Sequence, residues 1–261
     1  MYSKELTKKI EKYYTRYYED ECCLKDYVLR AKNRINEEEN ELIKINDIQK
    51  TLGLNFEGQK HFVFGAGTGG LAVVLNKNFN CEVFGIEPDN DEFEIIQNKC
   101  SEVGIDKNNF KKEFGENLAF DDNQFDFVHC FTVLEHVQDV EKCIDEMIRI
   151  TKPGGKIYIN TPNYSFPYEG HYKIFFPTFL PKFIGYIFLI VLGKSPKFLK
   201  TINYITERSV NSILVRKKNI IWMRIYKPKN KINNSLLDYL YNWFIFKKFI
   251  YNKQEIVITK N

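Results

Sequence analysis

Hydrophobic positions along this chain change their period near residue 60. From Glu5 to Glu19 charged residues surround tyrosines at 13, 14, 17 and 18, so that 13 and 17, like 14 and 18, fall on one face of a helix. A second helical stretch, Leu24 to Leu52, sets Ile35, Leu42, Ile43, Ile45 and Ile48 among Glu and Lys. From His61 the apolar residues come in short runs instead. His61–Phe64, Glu82–Ile86, a weak run at 110–113, Phe125–Phe131 and Lys156–Asn160 read as five strands. Leu71–Leu75, Asp91–Val103 and Val140–Thr151 read as helices between them, and Lys152-Pro153-Gly154-Gly155 reads as a turn. Short strands alternating with helices predict a parallel, doubly wound sheet, because parallel strands need crossover connections. The alternation stops after Thr161. It resumes as a helix (Thr206–Lys217), a strand (Ile220–Tyr226), a helix (Ser235–Phe249) and a last strand (Glu255–Thr259). The pattern therefore predicts an α/β fold with a seven-stranded, mostly parallel Rossmann-like sheet. A helical cover occupies 1–56, and the main domain spans 57–261 with a cap inserted at 162–205.

Composition narrows the picture by exclusion. A chain of 261 residues can bury a core without disulfides or metal. Its six cysteines form no C-x-x-C pair and no zinc spacing, so buried free thiols in a cytoplasmic protein are expected. The charged opening residues predict no secretory signal. The longest apolar stretch, Phe183–Leu192, would rise about 15 Å as a helix, roughly half a bilayer core, so it predicts no transmembrane span. A buried helix is the first expectation for it, with a peripheral membrane contact as the alternative. The net charge of +4 conceals an asymmetry: from Lys194 onward there are 15 Lys and Arg against 3 Asp and Glu. Such a basic region suits a diphosphate-bearing substrate or an anionic surface. No nucleic-acid module accompanies it, so nucleic acid is not an expected partner.

The chemistry starts at Gly65-x-Gly67-x-x-Gly70, which follows a strand and opens a helix. Glycines there permit a tight turn and close approach of backbone N–H groups to a ligand. Glu87 closes the second strand, 22 residues after Gly65, where a carboxylate can accept the hydroxyls of an adenosine ribose. An adenosine-containing cofactor follows from the two together.

Phe125-Asp126-Phe127-Val128, Val133-Leu134-Glu135-His136-Val137 and Lys152-Pro153-Gly154-Gly155-Lys156 complete a pattern with the Gly-Ala-Gly-Thr-Gly turn. It resembles the seven-stranded, class I S-adenosylmethionine-dependent methyltransferases across residues 57–162. Thr161-Pro162-Asn163-Tyr164-Ser165-Phe166-Pro167-Tyr168-Glu169-Gly170-His171-Tyr172, with Pro177, Leu180-Pro181-Lys182 and Ile202-Asn203-Tyr204, is similar to a bacterial subgroup associated with surface-polysaccharide synthesis. The resemblance implies S-adenosylmethionine as methyl donor and S-adenosylhomocysteine as product. It places Gly65, Ala66, Gly67 and Gly70 on the donor, Glu87 and Pro88 on its ribose, Phe114 and the Gly115 N–H at its adenine, and the Gly65 and Cys130 carbonyls, with Tyr14 and Tyr18, at its methionine end. Two positions depart from the pattern: Val63 and Phe114 stand where the subgroup has acidic residues.

Methyl transfer to an alcohol needs a base for the hydroxyl proton, a task suited to histidine. Of four histidines, His136 follows the fourth strand at its carboxyl end, where the reacting methyl belongs; His61 and His129 lie inside strands and read as structural. His136 is the candidate base, with Glu135 or His171 assisting. Tyr164, Tyr168, Glu169, Tyr172 and Asn203 in the cap are candidates for binding a sugar. Glu135 and His136 also resemble half of a metal site in ubiquinone-type O-methyltransferases, but Thr132 stands where a further Glu belongs, so no metal is expected. The expected activity is O-methylation of a sugar, nucleotide-activated, for capsule or surface glycan. The alternatives are a quinone-like or other small-molecule acceptor, a nicotinamide dehydrogenase, and an inactive cofactor-binding scaffold.

Overall fold

The computed structural model describes residues 2–176, 178, 180–225 and 253–261, the side chains of 197 and 198 excepted. The chain opens with α1 (Lys4–Arg16), capped by the Ser3 side chain on the Leu6 N–H, and runs through a π-helical turn over Tyr17–Glu21. The long helix expected over 24–52 is instead two, α2 (Tyr27–Ile35) and α3 (Glu37–Leu52), broken at Asn36. At the break Asn36 leaves helical geometry (φ −109°, ψ 40°), and Glu37, the first residue of α3, is buried and reaches inward to Lys99 and Thr68.

The sheet follows as β1 (Lys60–Phe64), α4 (Gly70–Phe79), β2 (Glu82–Ile86), α5 (Asn90–Val103), β3 (Phe110–Lys111), β4 (Phe125–Phe131), α6 (Val140–Ile150) and β5 (Thr151–Pro162). Asp89 and Asp139 cap α5 and α6 through their carboxylates, which is how two polar loops turn abruptly into helices. The insertion holds the short hairpin β6 (Tyr168–Glu169) and β7 (Ile174–Phe175), then α7 (Lys182–Val191) and α8 (Lys197–Thr201). Next come α9 (Glu207–Leu214), started by a Thr206–Ser209 capping box, then β8 (Ile220–Ile225) and β9 (Lys253–Lys260). The helix expected at Ser235–Phe249, and Tyr226 and Pro177, lie outside the described residues.

Seven strands form one sheet in the order β3-β2-β1-β4-β5-β9-β8. The first five are parallel, and β9 runs antiparallel to both β5 and β8. This is the seven-stranded, mostly parallel Rossmann-like sheet expected from the sequence. One local expectation was incomplete. The Lys152-Pro153-Gly154-Gly155 turn does not end before β5 but bulges within it: Thr151 pairs with Phe125 and Lys156 with Phe127, and Gly154 takes a left-handed φ of +78°.

Alternation along the strands sends side chains to two cores. Phe62, Phe64, Val128 and Cys130 face α6 and α9 with Met147 and Leu214, while Val63 and Phe127 face α3, α4 and α5 with Ile45, Leu71 and Ile96. Leu6, Ile10 and Tyr14 of α1 close a third cluster with Ala31 and Ile95. The insertion has its own small core of Tyr172, Phe176, Leu189 and Leu199. All six cysteines are free, and all but Cys23 are buried. Among the described residues no helix is long and apolar enough to cross a membrane. The Phe183–Leu192 stretch is helical as expected over 183–191, but only Gly185 and Leu189 of α7 are buried, so the helix buries one face and not the whole.

Candidate active site

The turn after β1 takes left-handed φ at Gly65 (+73°), Gly67 (+55°) and Gly69 (+87°). Side chains would also collide there: a Cβ on Gly65 would lie 2.4 Å from Val133, and one on Gly69 would lie 2.6 Å from Ile96. At Gly67 the nearest atom is Glu92 Oε1 at 3.9 Å, so the turn is packed on its flanks and open in the middle. The Glu87 carboxylate, at the end of β2, accepts the Gly67 N–H at 2.7 Å and the Asp89 N–H at 2.9 Å. Burial pushes the Glu87 carboxyl up, against the pull of those two bonds. Burial and the charge of Glu87 raise neighbouring Glu92 to about 8.

A cleft of about 720 Å³ opens over this turn. Gly65, Ala66, Gly67, Gly70, Glu87, Pro88 and Tyr14 line it, as do His136 and His171 on its far wall. Four candidates for the cofactor are not among the lining residues. Cys130 is buried in the core, Phe114 is 66% exposed after β3, Gly115 packs against the Phe64 ring, and Tyr18 accepts a hydrogen bond from Arg34. Sequence reasoning missed Arg34, Glu37, Glu92 and Thr132, together with Tyr158 and Glu255, all of which line the cleft. Thr132, just after β4, takes a φ of +54°, a strained conformation for a β-branched residue that only the structure shows.

The five cap residues expected to hold a sugar are absent from the cleft wall; most of them tie the cap together. The Tyr164 hydroxyl donates to Glu169 Oε1 (3.2 Å), the Tyr172 N–H to Glu169 Oε2 (2.8 Å), and the Tyr172 hydroxyl to the Ser195 carbonyl (2.6 Å). Asn203 donates its N–H to the Glu135 carbonyl and its side-chain amide to the Val137 carbonyl. Tyr168 sits in the β6–β7 hairpin.

The three residues proposed for chemistry come together. His136 comes from the turn after β4 and His171 from the insertion, with ring centroids 5.3 Å apart. Glu135 lies beneath them, fully buried. One of its oxygens accepts from Thr161 at 3.0 Å; the other has no hydrogen-bond partner and stands 4.0 Å from His136 Nε2. Burial raises the Glu135 carboxyl to about 7. His136 keeps 31% of its side chain exposed, but the enclosing walls, and then the charge of His171, lower it to about 4. His171 is held by Glu169 through Nδ1 at 2.7 Å. Burial would push the Glu169 carboxyl up, but its bond to His171 and that group's charge hold it below the usual value. Glu135, His136 and His171 also offer ligand atoms within 4.8 Å of one another, a set able to hold a divalent ion.

On the opposite wall, Glu37 accepts from Thr68 Oγ1 (2.5 Å) in the glycine turn and from the Tyr14 hydroxyl (3.2 Å). Lys99, with no exposed surface, bonds both Glu37 and Glu38 at 2.7 Å. Val63 supplies no carboxylate here, but the carboxyl groups of Glu21, Glu37, Glu87, Asp89 and Glu92 outnumber the Arg16 and Arg34 cations in the lining of the cleft. The open middle of the turn and that acidic lining fit a cationic adenosine cofactor carrying a sulfonium and an ammonium.

A doubly wound sheet of this order, with a glycine turn after β1 and an acid closing β2, has the fold of Rossmann-like methyltransferases. Residues 62–159 match the family described as "Methyltransferase domain". Norajmaline N-methyltransferase of Rauvolfia serpentina is 36% identical over 96 residues, covering 36% of this chain and 33% of that protein. Ubiquinone biosynthesis O-methyltransferase of Klebsiella pneumoniae is 28% identical over 106 residues, covering 41% of this chain and 43% of that protein. The chain thus spans well under half the length of these two relatives. The YcgJ protein of Bacillus subtilis shares the fold at a TM-score of 0.56 and 16% identity, over 85% of this chain and 99% of that one. Phosphoethanolamine N-methyltransferase 2 of Haemonchus contortus, solved with S-adenosylmethionine, also gives 0.56 at 16% identity, over 85% of this chain and 52% of that one.

Proposed function

We propose that this chain is an O-methyltransferase for a sugar hydroxyl, carried on a nucleotide-activated sugar of bacterial capsule or surface-glycan synthesis. One observation supports it above others: a sheet-borne histidine, His136, and a cap-borne histidine, His171, meet over the buried Glu135 in a cleft that also holds the glycine turn. S-adenosylmethionine, when bound, supplies an electrophilic methyl group. The glycine turn, Glu87 and Pro88 hold its adenosine, and Tyr14 covers its methionine end. His136, neutral above about pH 4, takes the hydroxyl proton as oxygen attacks. An ionised Glu135 then stabilises the imidazolium, and Glu169 keeps His171 turned toward the acceptor. This reading gives Glu135, His136 and His171 to proton transfer rather than to a metal. The basic stretch from Lys194, with 15 cations against 3 acids, suits a diphosphate.

A panel of nucleotide sugars assayed by mass spectrometry for a methyl gain tests this. Product is expected with at least one of them, falling at least a hundredfold in His136→Ala and less in His171→Ala. Full activity in both variants refutes the mechanism; no product with any sugar refutes the acceptor. A quinone-like phenol is the second reading, favoured by the ubiquinone-biosynthesis relative, and belongs in the same panel.

A further inference from the structure

The insertion carries an apolar helix face turned outward. In α7, Gly185 and Leu189 point into the cap: a Cβ on Gly185 would lie 2.5 Å from the Phe176 ring and 3.1 Å from Leu199. At about 100° per residue, the opposite side of the helix carries positions 183, 187, 190 and 191. Those are Phe183 (61% exposed), Ile187 (58%), Ile190 (62%) and Val191 (78%). Phe175, in the β6–β7 hairpin of the same insertion, is a further exposed apolar group at 68%. A water-soluble surface seldom gathers so many large apolar groups without a ligand for them.

The charges around the patch say what kind of ligand. From Gly170 to Ile205 the chain has five lysines and no Asp or Glu. Lys182 and Lys194 bracket α7, anchored on the Ile202 and Cys23 carbonyls, while Lys173 and Lys200 are exposed. A ten-residue helix is too short to cross a bilayer, but with an apolar face and a cationic rim it can lie in the interface. We propose that α7 docks this protein onto an anionic lipid surface, Phe183, Ile187 and Val191 entering the acyl boundary and the lysines meeting headgroup phosphates. The proposal concerns attachment alone and stands apart from the acceptor assigned above.

Flotation with unilamellar vesicles tests it. The protein should float with phosphatidylglycerol-rich vesicles, poorly with pure phosphatidylcholine, and less as salt rises. Ile187→Glu/Val191→Glu should lower partitioning at least tenfold, and Lys200→Gln about fivefold. Both variants should keep the melting temperature and S-adenosylhomocysteine affinity of the parent, since only exposed side chains change. No flotation, equal flotation with neutral lipid, or unchanged flotation of the double variant overturns the proposal. Two further outcomes also overturn it. A dimer by light scattering that the double variant dissociates would make a second copy the occupant. A double variant that melts several degrees lower would show that another part of this chain covers the face.

Discussion

Replacing Lys99 by Met tests how the amino-terminal helices are joined to the cofactor turn. The ammonium has no exposed surface and bonds Glu37 and Glu38 at 2.7 Å each. Removing it leaves the buried Glu37 carboxylate facing Thr68, the Tyr14 hydroxyl and Arg34 at 3.4 Å. Burial alone pushes the Glu37 carboxyl up; Lys99 is the leading group that holds it down instead. Taking one partner from such a pair costs about 3–5 kcal/mol. At about 2–4 °C per kcal/mol for a domain of this size, melting should fall by roughly 6–20 °C. Because Glu37 also grips the glycine turn through Thr68, S-adenosylhomocysteine should bind more weakly in the variant. Lys99→Met/Glu37→Gln should be less destabilised than the two single variants added together, since the stranded charge is gone. Calorimetric melting and urea titration of all three proteins measure this. A loss below about 1 kcal/mol for Lys99→Met, or strict additivity, would refute the view that the pair is a buried, mutually dependent unit.

Stability of the unliganded protein should fall as pH rises from 6.5 to 8.5. Glu135 (about 7) and Glu92 (about 8) have folded values above the ordinary carboxyl, so their stabilising effect is full at low pH and is lost as pH rises through those values. The sum is at most about 3 kcal/mol, Glu92→Gln should flatten the curve, and a melting temperature rising over that range would contradict it. His171 should lose its orientation in Glu169→Gln, which should lower turnover about tenfold with little change in S-adenosylhomocysteine affinity; unchanged turnover would detach His171 from the chemistry. Chelation with EDTA should leave the rate unaltered, and a loss restored by a divalent ion would reassign Glu135, His136 and His171 as ligands.

The sheet was legible because its signals are local. Short apolar runs, a glycine turn and an acid closing β2 each depend on neighbouring residues, and the parallel, doubly wound class follows from their alternation. The inward reach of Glu37 beside the break at Asn36 was not legible, because its partner Lys99 lies 62 residues further along the chain. Phe114 and Gly115 were assigned by resemblance, and the chain places one on the surface and the other against Phe64. His136 and His171 could be named from their positions in the pattern, but their meeting could not, because it is set by how an irregular insertion folds. Tyr164, Tyr172 and Asn203 have the chemistry of sugar-binding residues, and the same hydroxyls and amide serve equally well to close a small cap. The outward face of α7 lacked any sequence signal separating it from a buried helix, since Gly185 and Leu189 fix its rotation only through Phe176 and Leu199.

The pairing of His136 with His171 joins two parts of the chain with separate obligations. His136 stands in the turn after β4, its N–H bonded to the carbonyl of Val133, which packs against Gly65 of the glycine turn. His171 belongs to a loop with its own core, entered and left at neighbouring points: Tyr164 bonds the Ile205 carbonyl, and Asn203 bonds Glu135. Such a segment can be exchanged like a tool head on a fixed handle. A transplant of 162–205 into a related sheet would carry one half of the proposed acceptor site with it, while the proposed seat of the methyl donor stayed behind.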